Sequence, residues 1–97
     1  MLRHVVLLTW VPGTPPETVE AVVTALRALP ARIPEIRAYS VGRDAGVAEG
    51  NAHLAVVADF DDVEGWRVYR DDPEHQRVIA ELIRPNLADR TAAQFHV

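Results

Sequence analysis

The sequence contains no cysteine and no lysine, and aromatic residues make up only 6% of its 97 residues. Without cysteine, the chain can form neither disulfides nor cysteine-bound metal sites, and it has no thiolate nucleophile. All ten basic residues are arginines, scattered along a chain of net charge −4. Nucleic-acid binding requires a basic patch, and anionic membrane surfaces attract basic clusters, so neither is expected as a partner.

Long hydrophobic runs are also absent. The N-terminal apolar stretch from Val5 to Val11 is too short to span a membrane and lacks a signal-peptide cleavage site. We therefore expect a cytoplasmic protein. The 48% hydrophobic and 25% charged residues are typical of a folded chain. This length predicts one domain, residues 1–97, with a small core that association would extend.

The most informative stretch lies between two helical segments near residue 72. Asp72 is a suitable N-cap, and Pro73 suits the first helical position, where a missing N–H costs nothing. His75 lies one turn before Val78, which places it on the buried face of the second segment. Tyr69 ends the first segment. The pattern therefore predicts an inward-facing histidine close to a tyrosine.

Local patterns predict a β-α-β-β-α-β order. Strands have short apolar or β-branched runs bounded by turn residues, and helices have apolar residues at helical spacing. Thr14 and Asp61 are the predicted N-caps, with Pro15 at the first helical position. Pro30 and Pro85 are the predicted ends of the two helical regions. The order predicts an α+β, ferredoxin-like fold, with a four-stranded antiparallel sheet and two helices on one face. The predicted strands are residues 2–11, 36–43, 52–60 and 91–97.

The first and third strands are apolar on both faces, although two helices can cover only one. We expect the rows that begin at His4 and His53 to face the helices. The other rows would then form an open apolar face that a second copy of the sheet covers, giving a homodimer. The residues predicted for that open face are Val5, Leu7, Leu54, Val56 and Phe60.

These features together resemble the stress-responsive α/β-barrel family, known as Dabb. The matching features are the run from His4 to Leu8, Pro34, the strand from His53 to Phe60, and Tyr69 with the segment 72–75. The resemblance covers nearly the whole chain. It implies a dimeric barrel made of two ferredoxin-like sheets, in a family that includes plant stress proteins and polyketide cyclases.

The resemblance also implies a cavity between helices and sheet. In cyclase members a first-strand histidine, a second-helix tyrosine and the histidine after proline line it, and these correspond to His4, Tyr69 and His75. The first helix departs from the cyclases, which have aromatic residues where this chain has valine and leucine, so the cyclase substrate is not carried over. The expected substrate-binding residues are His53, Val6, Leu8, Val22, Val23, Leu26 and Val57.

The chemistry expected of such a cavity is proton transfer next to a ketone. A buried His75 at a helix N-terminus is kept neutral and can act as a general base. Tyr69 can donate a hydrogen bond to the oxygen that gains charge, and His4 can orient or share the proton. No flavin, nucleotide or phosphate motif is present, so no cofactor is expected.

Other interpretations remain at this stage. The protein can be a non-catalytic stress-response or ligand-binding dimer, in which His4 and His75 are core residues satisfied by hydrogen bonds. Three histidines can in principle form a zinc site with an open position, although they come from separate elements. Cofactor-free monooxygenases share the fold, and their chemistry depends on the substrate.

Overall fold

A computed structural model describes residues 1–97. Four strands form one antiparallel sheet in the order β2-β3-β1-β4, and three helices complete the chain. The predicted α+β, ferredoxin-like arrangement is confirmed, with the second helical region divided in two. The elements are β1 (Leu2–Trp10), α1 (Pro16–Arg27), β2 (Ala38–Arg43), β3 (Leu54–Phe60), α2 (Val63–Asp71), α3 (Pro73–Val78) and β4 (Leu87–His96).

The break between α2 and α3 has the predicted cause. The Asp72 side chain accepts hydrogen bonds from the backbone N–H groups of Glu74, at 2.9 Å, and His75, at 3.1 Å. Pro73 occupies the first turn of α3, where it removes no hydrogen bond. The chain continues as a π-helical segment over Ile79–Ile83 and a 3₁₀ turn over Arg84–Asn86, so Pro85 lies within a last turn and does not end the helical region.

The starts of α1 and α2 each differ from the prediction by one residue. Helix α1 begins at Pro16, and the Thr14 hydroxyl donates to the Val11 carbonyl at 2.7 Å instead of capping the helix. The predicted capping box is therefore wrong. It fails because the second proline of the pair takes the first helical position, which moves Thr14 out of capping range.

Helix α2 is capped by Asp62, not by Asp61. The Asp62 carboxylate accepts from the backbone N–H of Gly65 at 2.9 Å. Asp61 instead forms an exposed ion pair with Arg37 at 2.9 Å. Judged from the sequence, either Asp61 or Asp62 is a suitable cap. Asp62 takes this position because Asp61 is paired with Arg37.

The register of the sheet overturns the prediction for β3. Val6 lies opposite Val56 and His4 opposite Ala58, so the even-numbered residues of both strands face the helices. Leu54, Val56 and Phe60, predicted for the open face, are buried in the core. Both faces of β3 are apolar, and a shift of one residue exchanges them.

The face of the sheet away from the helices is open in the single chain. It carries Val5 and Leu7 of β1, Val57 of β3, and Phe95 of β4. Leu7 is 38% exposed and Phe95 is 47% exposed. The prediction of an open apolar face is therefore correct, although its β3 residues were assigned to the wrong side.

Candidate active site

A cavity of about 310 Å³ lies between the helix face of the sheet and the helical region that follows Asp72. Its polar lining consists of His4, Tyr69, His75, Gln76, Arg84 and Arg90. Its aliphatic lining consists of Val6, Leu8, Leu26, Val56, Ile79, Ile83 and Leu87. The cavity therefore offers an apolar chamber with a small set of hydrogen-bonding groups, as small-molecule sites typically do.

The structure brings His4, Tyr69 and His75 together in this cavity. His4 comes from β1, Tyr69 from the last turn of α2 and His75 from the first turn of α3. All three are buried. Of the predicted binding residues, Val6, Leu8 and Leu26 also line the cavity.

The other predicted binding residues lie elsewhere. Val22 and Val23 are fully packed in the core and do not line the cavity. Val57 lies on the open face, because the odd-numbered residues of β3 face away from the helices and not toward them as predicted. His53 is exposed, and its Nδ1 accepts a hydrogen bond from the Trp10 backbone N–H at 3.0 Å. A three-histidine cluster is not formed, because His53 lies at the other end of β1 from His4.

The rings of Tyr69 and His75 are in direct contact, with centroids 4.0 Å apart. His75 Nδ1 lies 3.3 Å from the Arg70 carbonyl oxygen. A carbonyl can only accept, so Nδ1 carries the proton and the lone pair of the neutral ring is on Nε2. Burial lowers the pKa of His75, although the hydrogen bond to Arg70 partly opposes this effect. His75 is therefore a neutral base near pH 7.

His4 has the complementary arrangement. The side-chain amide nitrogen of Gln94, on β4, donates to His4 Nδ1 at 2.9 Å, which leaves the proton of the neutral ring on Nε2. Burial, followed by the positive charge of Arg90 and, at acidic pH, by repulsion from protonated His75, lowers the pKa of His4 from 6.5 to about 4. His4 therefore remains neutral over the physiological range and offers an N–H donor.

Tyr69 is paired with a second tyrosine. Its hydroxyl lies 3.0 Å from the hydroxyl of Tyr39, which projects from β2. Burial raises the pKa of both phenols, so both are protonated at neutral pH. If Tyr39 donates in this pair, the Tyr69 proton is available to a ligand. Arg90 opposes the rise in the pKa of Tyr69.

The sequence matches the Stress responsive A/B Barrel Domain family over residues 2–97. The chain belongs to this family, Dabb. The resemblance noted from the sequence is thereby confirmed. Among curated proteins, no match to the chain was found.

Solved structures agree with the Dabb assignment. A dimeric ferredoxin-like protein of unknown function from Thermobifida fusca is 48% identical with a TM-score of 0.91, and the match covers 99% of this chain and 90% of that one. A dimeric protein of unknown function from Bacteroides fragilis is 25% identical with a TM-score of 0.85, covering 99% and 95%. The hydroxynitrile lyase of Passiflora edulis shares the fold at 15% identity and a TM-score of 0.85, covering 99% and 92%.

Five polar residues of this Dabb site were missed by sequence reasoning: Tyr39, Gln76, Arg84, Arg90 and Gln94. For the two residues on β4, the only available signal was alternation along the strand, which places Arg90 and Gln94 on one face. Predicting β4 to begin at residue 91 excluded Arg90, whereas the strand begins at Leu87. Tyr39, Arg90 and Gln94 converge on His4 and Tyr69 because of the register in which the strands pair.

Two further observations concern metal-binding groups and membrane-spanning helices in the Dabb chain. No group of three or more histidine, aspartate or glutamate side chains is arranged to hold a metal ion. None of the helices is long and apolar enough to span a membrane.

Proposed function

We propose that this protein is a homodimeric, cofactor-free lyase or cyclase that acts by proton transfer on a small ketone-bearing metabolite. The observation that carries the proposal is the contact between the Tyr69 and His75 rings inside the cavity that also contains His4. In this proposal His75 is the neutral base, and Tyr69 and His4 are the two neutral donors around a single apolar chamber. A polyketide-like compound is one member of this substrate class.

The proposed reaction begins with removal of a proton from the carbon next to the ketone. His75 Nε2 takes this proton, and the electron pair of the C–H bond moves to form an enolate. The enolate oxygen accepts hydrogen bonds from the Tyr69 hydroxyl and His4 Nε2–H, which stabilise its negative charge. Tyr69 retains its proton because burial raises its pKa. Burial lowers the pKa of His4, so its ring is neutral, and a neutral imidazole still carries one N–H.

The enolate carbon then attacks a second carbonyl of the same molecule. A carbon–carbon bond forms, and the negative charge moves to the oxygen of the attacked carbonyl. The His75 imidazolium returns its proton to this oxygen, which restores the neutral enzyme. A lowered pKa of the imidazolium favours this last transfer.

The proposed dimer is supported by the apolar open face of the sheet. Leu7, Val57 and Phe95 lie on that face, and no element of the chain covers it. A second copy can bury it through a two-fold interface. The Thermobifida fusca relative at 48% identity is itself described as dimeric.

A second candidate is a non-catalytic binding protein. It is favoured by the Tyr39–Tyr69 and His4–Gln94 hydrogen bonds, which satisfy the same polar groups without any substrate. In that case the three residues fix the shape of the cavity and hold a ligand without changing it. The two candidates differ in whether a bound ketone loses a proton.

Deuterium exchange distinguishes the two candidates. The protein is incubated with 4-phenyl-2-butanone in D₂O, and loss of the proton signals next to the carbonyl is followed by NMR. We expect the wild type to accelerate exchange, His75→Gln to abolish the acceleration, and Tyr69→Phe to reduce it by about a hundredfold to a thousandfold. His53→Gln is the matched control for His75→Gln, because His53 is exposed and does not line the cavity. Exchange that is equally fast with His75→Gln contradicts the proposed reaction.

A further inference from the structure

The arginines of this chain divide into two groups. Seven form ion pairs with carboxylates: Arg3, Arg32, Arg37, Arg43, Arg67, Arg70 and Arg77. Arg27 donates to the Val41 carbonyl at 2.7 Å. The guanidinium groups of Arg84 and Arg90 have no protein partner of either kind. In a chain with more acidic than basic residues, these two guanidinium groups are free of carboxylate partners and so can bind an external anion.

Both unpaired arginines line the same cavity. Arg84 comes from the 3₁₀ turn that precedes β4, and Arg90 lies on β4 opposite Leu8, on the face of the sheet that contains the site. No aspartate or glutamate is among the lining residues. The cavity is therefore locally positive, although the protein as a whole carries a charge of −4.

The charge of Arg90 acts on the proposed reacting groups. It contributes to the lowered pKa of His4 and of His75, and it partly offsets the raised pKa of Tyr69. Arg90 can act on all three side chains because it lines the same cavity as they do, and the interaction of charges weakens with distance and solvent screening.

We propose that the cavity is selective for an anionic ligand, a ketone-bearing molecule whose carboxylate or phosphate group is bound by Arg84 and Arg90. This inference rests on the proposed function, because it names the substrate class of the same cavity. Guanidinium groups hold both kinds of anion through paired N–H donors, and they do so most strongly where no carboxylate of the protein competes.

The arrangement orients such a ligand. Its anionic group lies at the exposed arginines, and its apolar body extends along the aliphatic lining. The ketone is then directed toward His75 and Tyr69. A neutral compound of the same shape fits the apolar lining but gains nothing from the arginines, so charge and not shape distinguishes the two.

The test compares ligands that differ only in charge. Binding of 4-phenylbutyrate and of its neutral amide to the intact protein is measured by NMR titration, with 3-phenylpropyl phosphate as a further arm. We expect the carboxylate to bind at least tenfold more tightly than the amide, and Arg84→Gln or Arg90→Gln to remove most of that difference. The phosphate arm shows which anion the arginines prefer. Arg67→Gln, on the surface of α2, is the matched control and should leave the difference unchanged.

The outcomes separate this inference from the proposed reaction. Any of three results overturns the anion preference. The acid and the amide bind with equal affinity, neither anion binds at millimolar concentration, or Arg67→Gln removes as much of the affinity difference as Arg84→Gln or Arg90→Gln does. Deuterium exchange into the neutral 4-phenyl-2-butanone does not require an anionic group on the ligand, so it can succeed while the anion preference fails. The converse result is also possible. If the wild type does not accelerate exchange, the proposed reaction is overturned. If His75→Gln still binds the carboxylate more tightly than the amide, the anion site is supported.

Discussion

The rings of Tyr69 and His75 lie 4.0 Å apart with their planes inclined by 31°, although the two residues belong to different helices. Six positions along an uninterrupted helix correspond to a rotation of about 240°, which would place them on different sides. The break at Asp72 redirects the chain, with an extended ψ of 131° at that residue. The contact at the centre of the site therefore depends on one capping residue.

Asp72→Ala is expected to destabilise the protein and disturb the site. The variant loses the two hydrogen bonds to the first turn of α3, which lowers the free energy of unfolding by about 1 kcal/mol or more. It also loses the ion pair with Arg32, which contributes little to stability. Urea unfolding gives the free-energy change, and NMR shifts of the His75 ring report the local change. Asp71→Ala is the control, because Asp71 pairs only with exposed Arg70. Equal effects of the two changes would show that the cap is unimportant.

Stability is expected to fall on acidification between pH 6.5 and about 4. The pKa of His4 is 6.5 ordinarily and about 4 in the folded protein, so below pH 6.5 the unfolded chain takes up the proton first. The loss is complete near the folded pKa and amounts to about 3 kcal/mol. The lowered pKa of His75 acts in the same direction. Denaturant unfolding across this range should show the loss, and His4→Gln should show a smaller one. A folded-state pKa of His4 near 6.5 by NMR would contradict this.

The Tyr39–Tyr69 hydrogen bond is expected to behave as a single unit in a double-mutant cycle. Tyr39→Phe and Tyr69→Phe each keep the ring packing and remove the same bond, at about 1 kcal/mol. The double variant should cost about as much as either single variant, since the bond is already lost in each. Free energies of unfolding measure this. Fully additive costs would mean that the hydroxyls do not depend on each other.

Charge on the open face is expected to prevent dimer formation. Leu7→Glu places an unpaired carboxylate in the proposed interface, where it would be desolvated. Val47→Glu is the matched control, because Val47 is 86% exposed in the loop between β2 and β3. Light scattering should show a monomer for the first variant and a dimer for the second. A wild-type protein that is monomeric at micromolar concentration would contradict the proposed dimer. Leu54→Glu does not test the interface, since Leu54 is in the core.

The order of elements and the Dabb family could be predicted from the sequence. So could the Asp72 cap, the helix break and the inward position of His75. The family was indicated by the resemblance of its motifs. The other features depend on local rules: capping residues, proline at the first helical position, and apolar spacing of about 3.6 residues per turn. Such rules act over a few residues, so they are visible in the chain before it folds.

The composition of the site was decided only by the tertiary structure. Both faces of β1 and β3 are apolar, so alternation alone could not show which row of β3 shares a face with His4. The cross-strand pair of Val6 and Val56 settles this in favour of the even-numbered residues. That register removes His53 and Val57 from the cavity. The same sheet brings in Tyr39, Arg90 and Gln94, which are distant in sequence from Tyr69 and His4, because strand pairing joins positions that no local pattern connects.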